Sequence, residues 1–366
     1  MDFLFSILPT IVVLGILIII HEFGHFIACR RTKVNVEKFS IGFGPEIVHW
    51  ERKGTRFAIS IFPIGGYVKP AGESVSEIQE TGTQAGDFLA ATVPARIFIV
   101  ISGVIMNYLL GYLLFFALSL SGIPEPGTAI GGFVKGYPAE DSGLKVGDRI
   151  VEVNGQKVTN WHELTDLFNK APDGTLILVV TRGQGVATVP VMPETKELTD
   201  VFGHRHRVKR VGIMHHMEDF TIKRLGLMEA LINACQTTVF VTMTTYKAIF
   251  YMIQGRLSLK AVYGPIGIIT LTGSAVKSGF SSLLILVANL SVCLAVVNLL
   301  PIPALDGGHL LFLLIEAIRR KPVSLKIQER LTQAGFAMLL VLMAFVVYND
   351  LVNLEYLEKI KKFFGG

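Results

Sequence analysis

Ile18-Ile19-Ile20-His21-Glu22-Phe23-Gly24-His25 decides how the rest of the chain is understood. An HExxH motif closes an apolar run that opens at Phe3. On a helix, residues four apart lie about 40° apart around the axis, so His21 and His25 present two imidazoles from one face with Glu22 beside them. That spacing is half of a zinc site. The competing reading is a pair of hydrogen-bonded core histidines. It is weakened by the setting, because three ionisable groups on an apolar helix of membrane length are costly unless they bind or react with something.

A tetrahedral catalytic zinc takes a third protein ligand and keeps its fourth position open. The candidate lies far downstream, in Asn298-Leu299-Leu300-Pro301-Ile302-Pro303-Ala304-Leu305-Asp306-Gly307-Gly308-His309, which interrupts a second long apolar segment and has Asp306 as its only carboxylate. Two prolines and two glycines break the helix there. Broken backbone at membrane depth is tolerated only inside protein or beside a wet cavity, so the segment predicts a pocket. The alternative is a loop between two short helices, with Asp306 and His309 at solvated tips.

Composition agrees with a membrane setting. The 366 residues are 51% hydrophobic and 17% charged, with a mean hydropathy of +0.53, too apolar for an average soluble enzyme but with room for one soluble module. The net charge of +5 could suggest nucleic acid. Its basic residues instead flank apolar segments and form no stripe with interleaved aromatics, so no nucleic-acid partner is expected. Cys29, Cys235 and Cys293 form no spaced pair, which argues against both a disulfide framework and a cysteine zinc site.

HEFGH in a first membrane helix together with NLLPIPALDGGH in a late one resembles the site-two protease family of intramembrane zinc metalloproteases, especially bacterial regulator-of-sigma proteases. The resemblance covers nearly the whole chain. It implies one catalytic Zn2+ held by His21, His25 and Asp306, with Glu22 moving the proton from the attacking water to the departing amine. It also implies that Asn298 contacts substrate backbone. The stretch Gly66-Tyr67-Val68-Lys69-Pro70-Ala71-Gly72-Glu73 matches a family signature expected to form a membrane-dipping sheet near the zinc, with Gly65, Gly66 and Tyr67 as its substrate-binding residues. An exposed strand edge there could hold an unwound substrate by main-chain pairing; the alternative is a covering loop. The implied substrates are single-pass membrane proteins of the anti-sigma-factor type or remnant signal peptides, cleaved in regulated intramembrane proteolysis.

Taken in order, the chain predicts an α-helical polytopic membrane protein of about four transmembrane helices, with a membrane-associated β-hairpin and an inserted β-rich PDZ domain. Residues 1–124 form the N-terminal membrane part. Phe3 to Ile20 spans about 27 Å at 1.5 Å per residue, most of a bilayer. Arg30, Arg31, Lys33 and Lys38, then Arg52, Lys53 and Arg56, follow it and by the positive-inside rule mark a cytoplasmic loop. The segment lacks the basic start of a cleavable signal and bears the candidate ligands, so removal is not expected. Phe39 to Glu73 is expected as strands, and Ala95 to Leu120 as the second span. Asn107, within that span, also matches a family position and is expected to bond between helices.

Residues 125–217 resemble a PDZ domain through Tyr137-Pro138-Ala139-Glu140-Asp141-Ser142-Gly143-Leu144 and Val146-Gly147-Asp148-Arg149-Ile150-Val151-Glu152-Val153-Asn154-Gly155. Arg149 to Asn154 alternates as a half-buried strand does, and Asn154-Gly155 is a tight-turn signal. A helix is expected at His162 to Asn169, a strand at Leu176 to Thr181 and a last strand at Val208 to Ile213. His204, His206, His215 and His216 are expected on a solvated strand and loop. Residues 218–281 are expected to hold an interfacial helix from Thr221 to Gly255. Residues 282–366 hold the third span, from Ser282 through the break to about Ile318, and the fourth, Thr332 to Tyr348. Arg319, Arg320, Lys321, Lys326 and Arg330 lie between them.

The expected location is the bacterial inner membrane, in contact with lipid. The PDZ and both termini lie outside and the active site toward the cytoplasm. Peptide or ectodomain contact through the PDZ would govern access. Two rivals differ in class: a membrane metal-binding or transport scaffold, which predicts several polar faces or inverted repeats, and a catalytically degenerate PDZ adaptor, which predicts loss of Glu22 or Asp306. Neither signature is found in the sequence.

Overall fold

A computed structural model of the chain describes residues 2–73, 82, 84–199, 205–216, 219–258 and 263–353. It divides into two compact units, Met1–Leu118 with Leu231–Gly366, and Ser119–Ala230. Four of its helices are long and apolar enough to cross a membrane: Phe5–Arg31, Val93–Ser121, Phe280–Asn298 and Leu325–Val352.

In the first unit, helix α1 (Asp2–Arg31) is apolar all round until its last turns, where Arg30 and Arg31 meet the negative end of the helix dipole. Its contact with α2 (Val93–Ser121) is backbone to backbone. A Cβ at Gly24 would lie 2.4 Å from the carbonyl oxygen of Ser102. Small residues at such a crossing give lipid-embedded helices their close packing.

Strands β1 (Val36–Arg52) and β2 (Thr55–Pro70) form an antiparallel hairpin that curls on itself. Lys38 to Ile41 pair on one side with Arg56 to Ile59 and on the other with Gly66 to Lys69, so the end of β2 is an edge strand. Gly42 and Gly44, both at positive φ, permit the bend. Farther along the hairpin, Phe43, Ile47, Val48, Trp50, Ile61 and Phe62 are exposed. Lys38 and Arg56 clasp Glu46 at 2.7 and 2.6 Å, and these bonds hold its carboxyl down to about 2.

The second unit contains β3 (Ile123–Pro126), β4 (Ile130–Phe133), β5 (Arg149–Val153), β6 (Gln156–Lys157), helix α3 (Trp161–Lys170), β7 (Leu176–Arg182), β8 (Gly185–Val191), β9 (Glu194–Thr199), β10 (Arg205–Arg210), β11 (Ile213–His215) and β12 (Phe220–Lys223). Strands β6-β5-β7-β8 make an antiparallel sheet. Alternate residues Ile150, Leu176, Leu178 and Val180 are buried with Leu164 and Phe168 of α3. Asn160 caps α3 by accepting from the amide of Glu163, while Glu163 accepts from the amide of Thr159.

Three expectations are corrected here. The helix expected from Thr221 begins only at Leu227, as α4 (Leu227–Ile253). Phe220 to Lys223 instead pair with Ile123 to Pro126, because an alternating run beside a free strand gains more from a ladder than from a frayed helical turn. The last strand, expected at Val208 to Ile213, is two strands broken at Gly212. That residue has φ +90°, and a Cβ on it would strike Tyr137. His215 and His216 are half-buried, and His215 lies edge-on to Trp161, so they are not simply solvated. His204 lies outside the described residues.

The first unit resumes with α4, α5 (Pro265–Lys277), α6 (Phe280–Asn298), α7 (Asp306–Arg319) and α8 (Leu325–Asn353). The interrupted third segment is thus two helices joined by a turn at 299–305. A Cβ at Gly273 of α5 would lie 1.9 Å from Ser6 Oγ, so α5 packs tightly on α1. Asp350 of α8 is buried and accepts from the amides of Gly264 and Gly267, capping α5 from the last membrane helix.

Candidate metal centre

Helix α1 presents His21 and His25 from one face, and α7 begins with Asp306. The glycines that follow explain how the turn delivers this carboxylate. A Cβ at Gly307 would stand 2.1 Å from the carbonyl oxygen of Leu300, and one at Gly308 would stand 2.3 Å from that of Ile302. Only glycine lets the turn fold this closely onto the start of the helix. From α8, Thr332 donates to the carbonyl of Pro303 and steadies the turn.

Three atoms converge. Asp306 Oδ2 is 3.0 Å from His21 Nε2 and 3.6 Å from His25 Nε2, and the two Nε2 atoms are 3.2 Å apart. A tetrahedral zinc with bonds of about 2.0–2.1 Å holds its ligands about 3.3 Å from one another. The edges of this triangle bracket that value. Asp306 Oδ2 is also buried, and among the described residues no hydrogen bond reaches it from any group but the two imidazoles. A buried carboxylate oxygen left in that state and facing two imidazole nitrogens is satisfied by a cation. The donor set therefore fits zinc, and the solvated-tip alternative for Asp306 loses to the position of its buried Oδ2 against the two histidines.

His25 Nδ1 lies 2.8 Å from the carbonyl oxygen of Ile99, to which it can only donate, so its Nε2 keeps a lone pair for the centre. Gly103 sits against both rings. A Cβ there would be 2.3 Å from His25 Nε2 and 2.8 Å from the Cε1 of His21. Glu22 is outside the triangle, and its Oε2 accepts from the amide of Val68 at 2.9 Å. A cavity of about 240 Å³ opens beside these groups, lined in part by Glu22, His25, Tyr67, Val68, Asp306 and His309.

The sequence-predicted residues are brought together unevenly. His21, Glu22, His25 and Asp306 share one site. Asn298 reaches it at the end of α6, with Nδ2 3.4 Å from His21 Nε2. Tyr67 lines the cavity, whereas Gly65 and Gly66 support the strand behind it. A Cβ on Gly65 would meet the ring of Phe43, and one on Gly66 the carbonyl of Ser40. His309 lines the cavity too, against Phe312. Sequence reasoning missed Val68, Ile99 and Gly103. The first two act through main-chain atoms and leave no side-chain signal; Gly103 was visible only as a small residue four before Asn107 in an apolar span.

Comparison with known proteins agrees with this chemistry. The family described as Peptidase family M50 matches residues 9–342. The chain is 34% identical to a protein of Mesorhizobium japonicum, over 95% of this chain and 99% of that one. It is 36% identical to one of Rickettsia conorii over the same shares, and 34% identical to one of Clostridium acetobutylicum over 95% of this chain and 98% of that one. Each bears the name "Putative zinc metalloprotease".

Proposed function

The chain belongs to peptidase family M50 and is a zinc metalloprotease of the membrane; from that premise we propose that it cuts the transmembrane segments of single-pass membrane proteins or remnant signal peptides. The single observation that supports this most is that the His21, His25 and Asp306 triangle is assembled from two apolar segments, with Glu22 beside it in the same cavity.

His21, His25 and Asp306 would hold one zinc ion. Bound zinc supplies a Lewis acid for the scissile carbonyl and makes hydroxide available near neutral pH. Glu22, held by the Val68 amide outside the ligand set, takes the proton from the attacking water and returns it to the departing amine. Asn298 and the edge strand from Gly65 through Tyr67 orient the substrate backbone, which must be extended to be cut. The strand's outward main-chain groups are suited to that task. The transport and degenerate-adaptor readings lose support, since the general base and all three ligands meet in one site.

The basic clusters at 30–56 and 319–330 support a cytoplasmic placement of the metal site, with the inserted module and both termini outside the inner membrane. The compact unit at Ser119–Ala230, with its four-stranded sheet and capped helix, is compatible with the PDZ proposed for residues 125–217. Its role would be to select substrates by peptide docking or by size.

The experiment is cleavage of a single-pass reporter in proteoliposomes, in full-length and pre-trimmed forms, by the wild type and by a variant with residues 125–217 replaced by a glycine-serine linker. The wild type should cut only the trimmed reporter, within its apolar segment and sensitive to chelation; the linker variant should cut both. Cuts confined to the soluble flanks of the reporter would overturn the intramembrane reading. A folded linker variant as selective as the wild type would remove the gatekeeping role.

A further inference from the structure

We propose that Asn107 is a positioning residue for the metal centre, whose amide oxygen accepts a hydrogen bond from His21 Nδ1 and so holds His21 in the one tautomer that can bind metal through Nε2. This rests on the reading of His21 as a ligand.

Asn107 lies in the middle of α2 and is fully buried. Its amide is 3.3 Å from His21 Nδ1, the ring nitrogen on the far side from Asp306. Amide nitrogen and oxygen are interchanged by a half-turn about the last side-chain bond, and the two orientations have opposite consequences. With Nδ2 toward the ring, Nδ1 must be the acceptor. The imidazole proton is then on Nε2, where it faces Asp306 Oδ2 at 3.0 Å and His25 Nε2 at 3.2 Å and excludes a metal. With Oδ1 toward the ring, Nδ1 keeps the proton and Nε2 offers a lone pair to the centre. The half-turn only exchanges which amide atom lacks a partner, so the choice between the orientations rests on the lone pair that a metal needs at Nε2.

Helix α2 repeats this service for both ligands. Ile99, Gly103 and Asn107 are spaced four and four, which places them along one face. The carbonyl of Ile99 takes the Nδ1 proton of His25, Gly103 makes room for both rings, and Asn107 takes the Nδ1 proton of His21. The backbone of Asn107 is itself pinned: buried Ser291 of α6 donates to its carbonyl at 2.8 Å. One helical turn on, a Cβ at Gly111 would stand 2.5 Å from a methyl of Val292. An amide held in this way aims an imidazole; outer partners of this kind commonly change metal affinity by about 10–100-fold.

The test measures zinc affinity by chelator competition on detergent-solubilised full-length protein, without substrate. Asn107→Leu should bind zinc about 10–100-fold more weakly, while Asn107→Asp, which keeps an acceptor, should stay within about threefold of the wild type. Should the leucine variant fail to fold, the 15N-histidine spectrum of zinc-free wild type decides instead. His21 as the Nδ1–H tautomer supports the proposal, and the Nε2–H tautomer overturns it. Unchanged affinity in Asn107→Leu also overturns it, as does equal weakening in Asn107→Asp, which would give the role to the amide N–H in place of the oxygen. His21→Ala separates this failure from that of the site itself, since a variant without His21 that keeps full zinc affinity removes the premise.

Discussion

The main-chain N–H of Val68 donates to Oε2 of Glu22 across 2.9 Å, joining the edge strand of the hairpin to the carboxylate that follows the first histidine of the metal triangle. Val68 pairs with Phe39 in the sheet, yet its own amide points away from that ladder and into the cavity. The strand therefore contacts the base directly through a donor with no side-chain signature.

Val68→Pro deletes this donor at a position where edge-strand proline leaves the ladder intact. A hydrogen bond to a charged group is worth about 1.5–3 kcal/mol, so turnover should fall about 10- to 100-fold. Zinc content should stay at the wild-type level. Steady-state cleavage with metal analysis on the same sample checks this, and loss of zinc in this variant would show that the strand supports the ligands instead of the base.

Gly103→Ala should damage the site without touching a ligand. Its added methyl would stand 2.3 Å from His25 Nε2, and the rings can give way only by leaving the triangle. Overpacking of this kind costs about 1–3 kcal/mol, here imposed on metal binding. Zinc affinity should fall about 5- to 150-fold with the protein still folded, as read by chelator competition and circular dichroism. Unaltered affinity would mean that α1 and α2 can separate at this crossing.

Much of the architecture was legible because membrane helices announce themselves by length and polarity. His21 and His25 were placed by helical spacing alone, and Asp306 by being the only carboxylate in a broken apolar segment. Long-range main-chain chemistry was not legible. Nothing in the sequence marks the carbonyl of Ile99 or the amide of Val68 as partners of residues 74 and 46 positions away. The strand at Phe220–Lys223 was missed for a related reason, since its partner is Ile123–Pro126, at the opposite end of the inserted unit.

In that unit, Asp148 is buried, and the guanidinium of Arg182, at 2.7 Å, holds its carboxyl below the ordinary range. A depressed folded value means the stabilisation is complete above the unfolded pKa of about 3.9 and disappears as pH falls through the folded value. Asp148→Asn should thus destabilise the unit by about 2 kcal/mol at pH 7, with the difference from wild type closing as pH falls below about 4. Denaturation followed by Trp161 fluorescence in a Trp50→Phe background would measure it. A difference that is constant with pH would mean that the charge of Asp148 contributes nothing.

Topology can be read with impermeant thiol reagents. In a chain lacking Cys29, Cys235 and Cys293, single cysteines at the exposed positions Lys326 and Gln184 should label from opposite faces, Lys326 from the cytoplasm and Gln184 from outside. Labelling of both from one face would contradict the proposed crossings.

The most direct measurement is zinc stoichiometry beside turnover in two variants, Asp306→Ala and Glu22→Gln. If His21, His25 and Asp306 hold the metal while Glu22 moves the proton, Asp306→Ala loses both zinc and cleavage. Glu22→Gln keeps the wild-type zinc content and loses cleavage alone. Tightly bound zinc at the wild-type level in Asp306→Ala, or loss of zinc in Glu22→Gln, would contradict this assignment of the site.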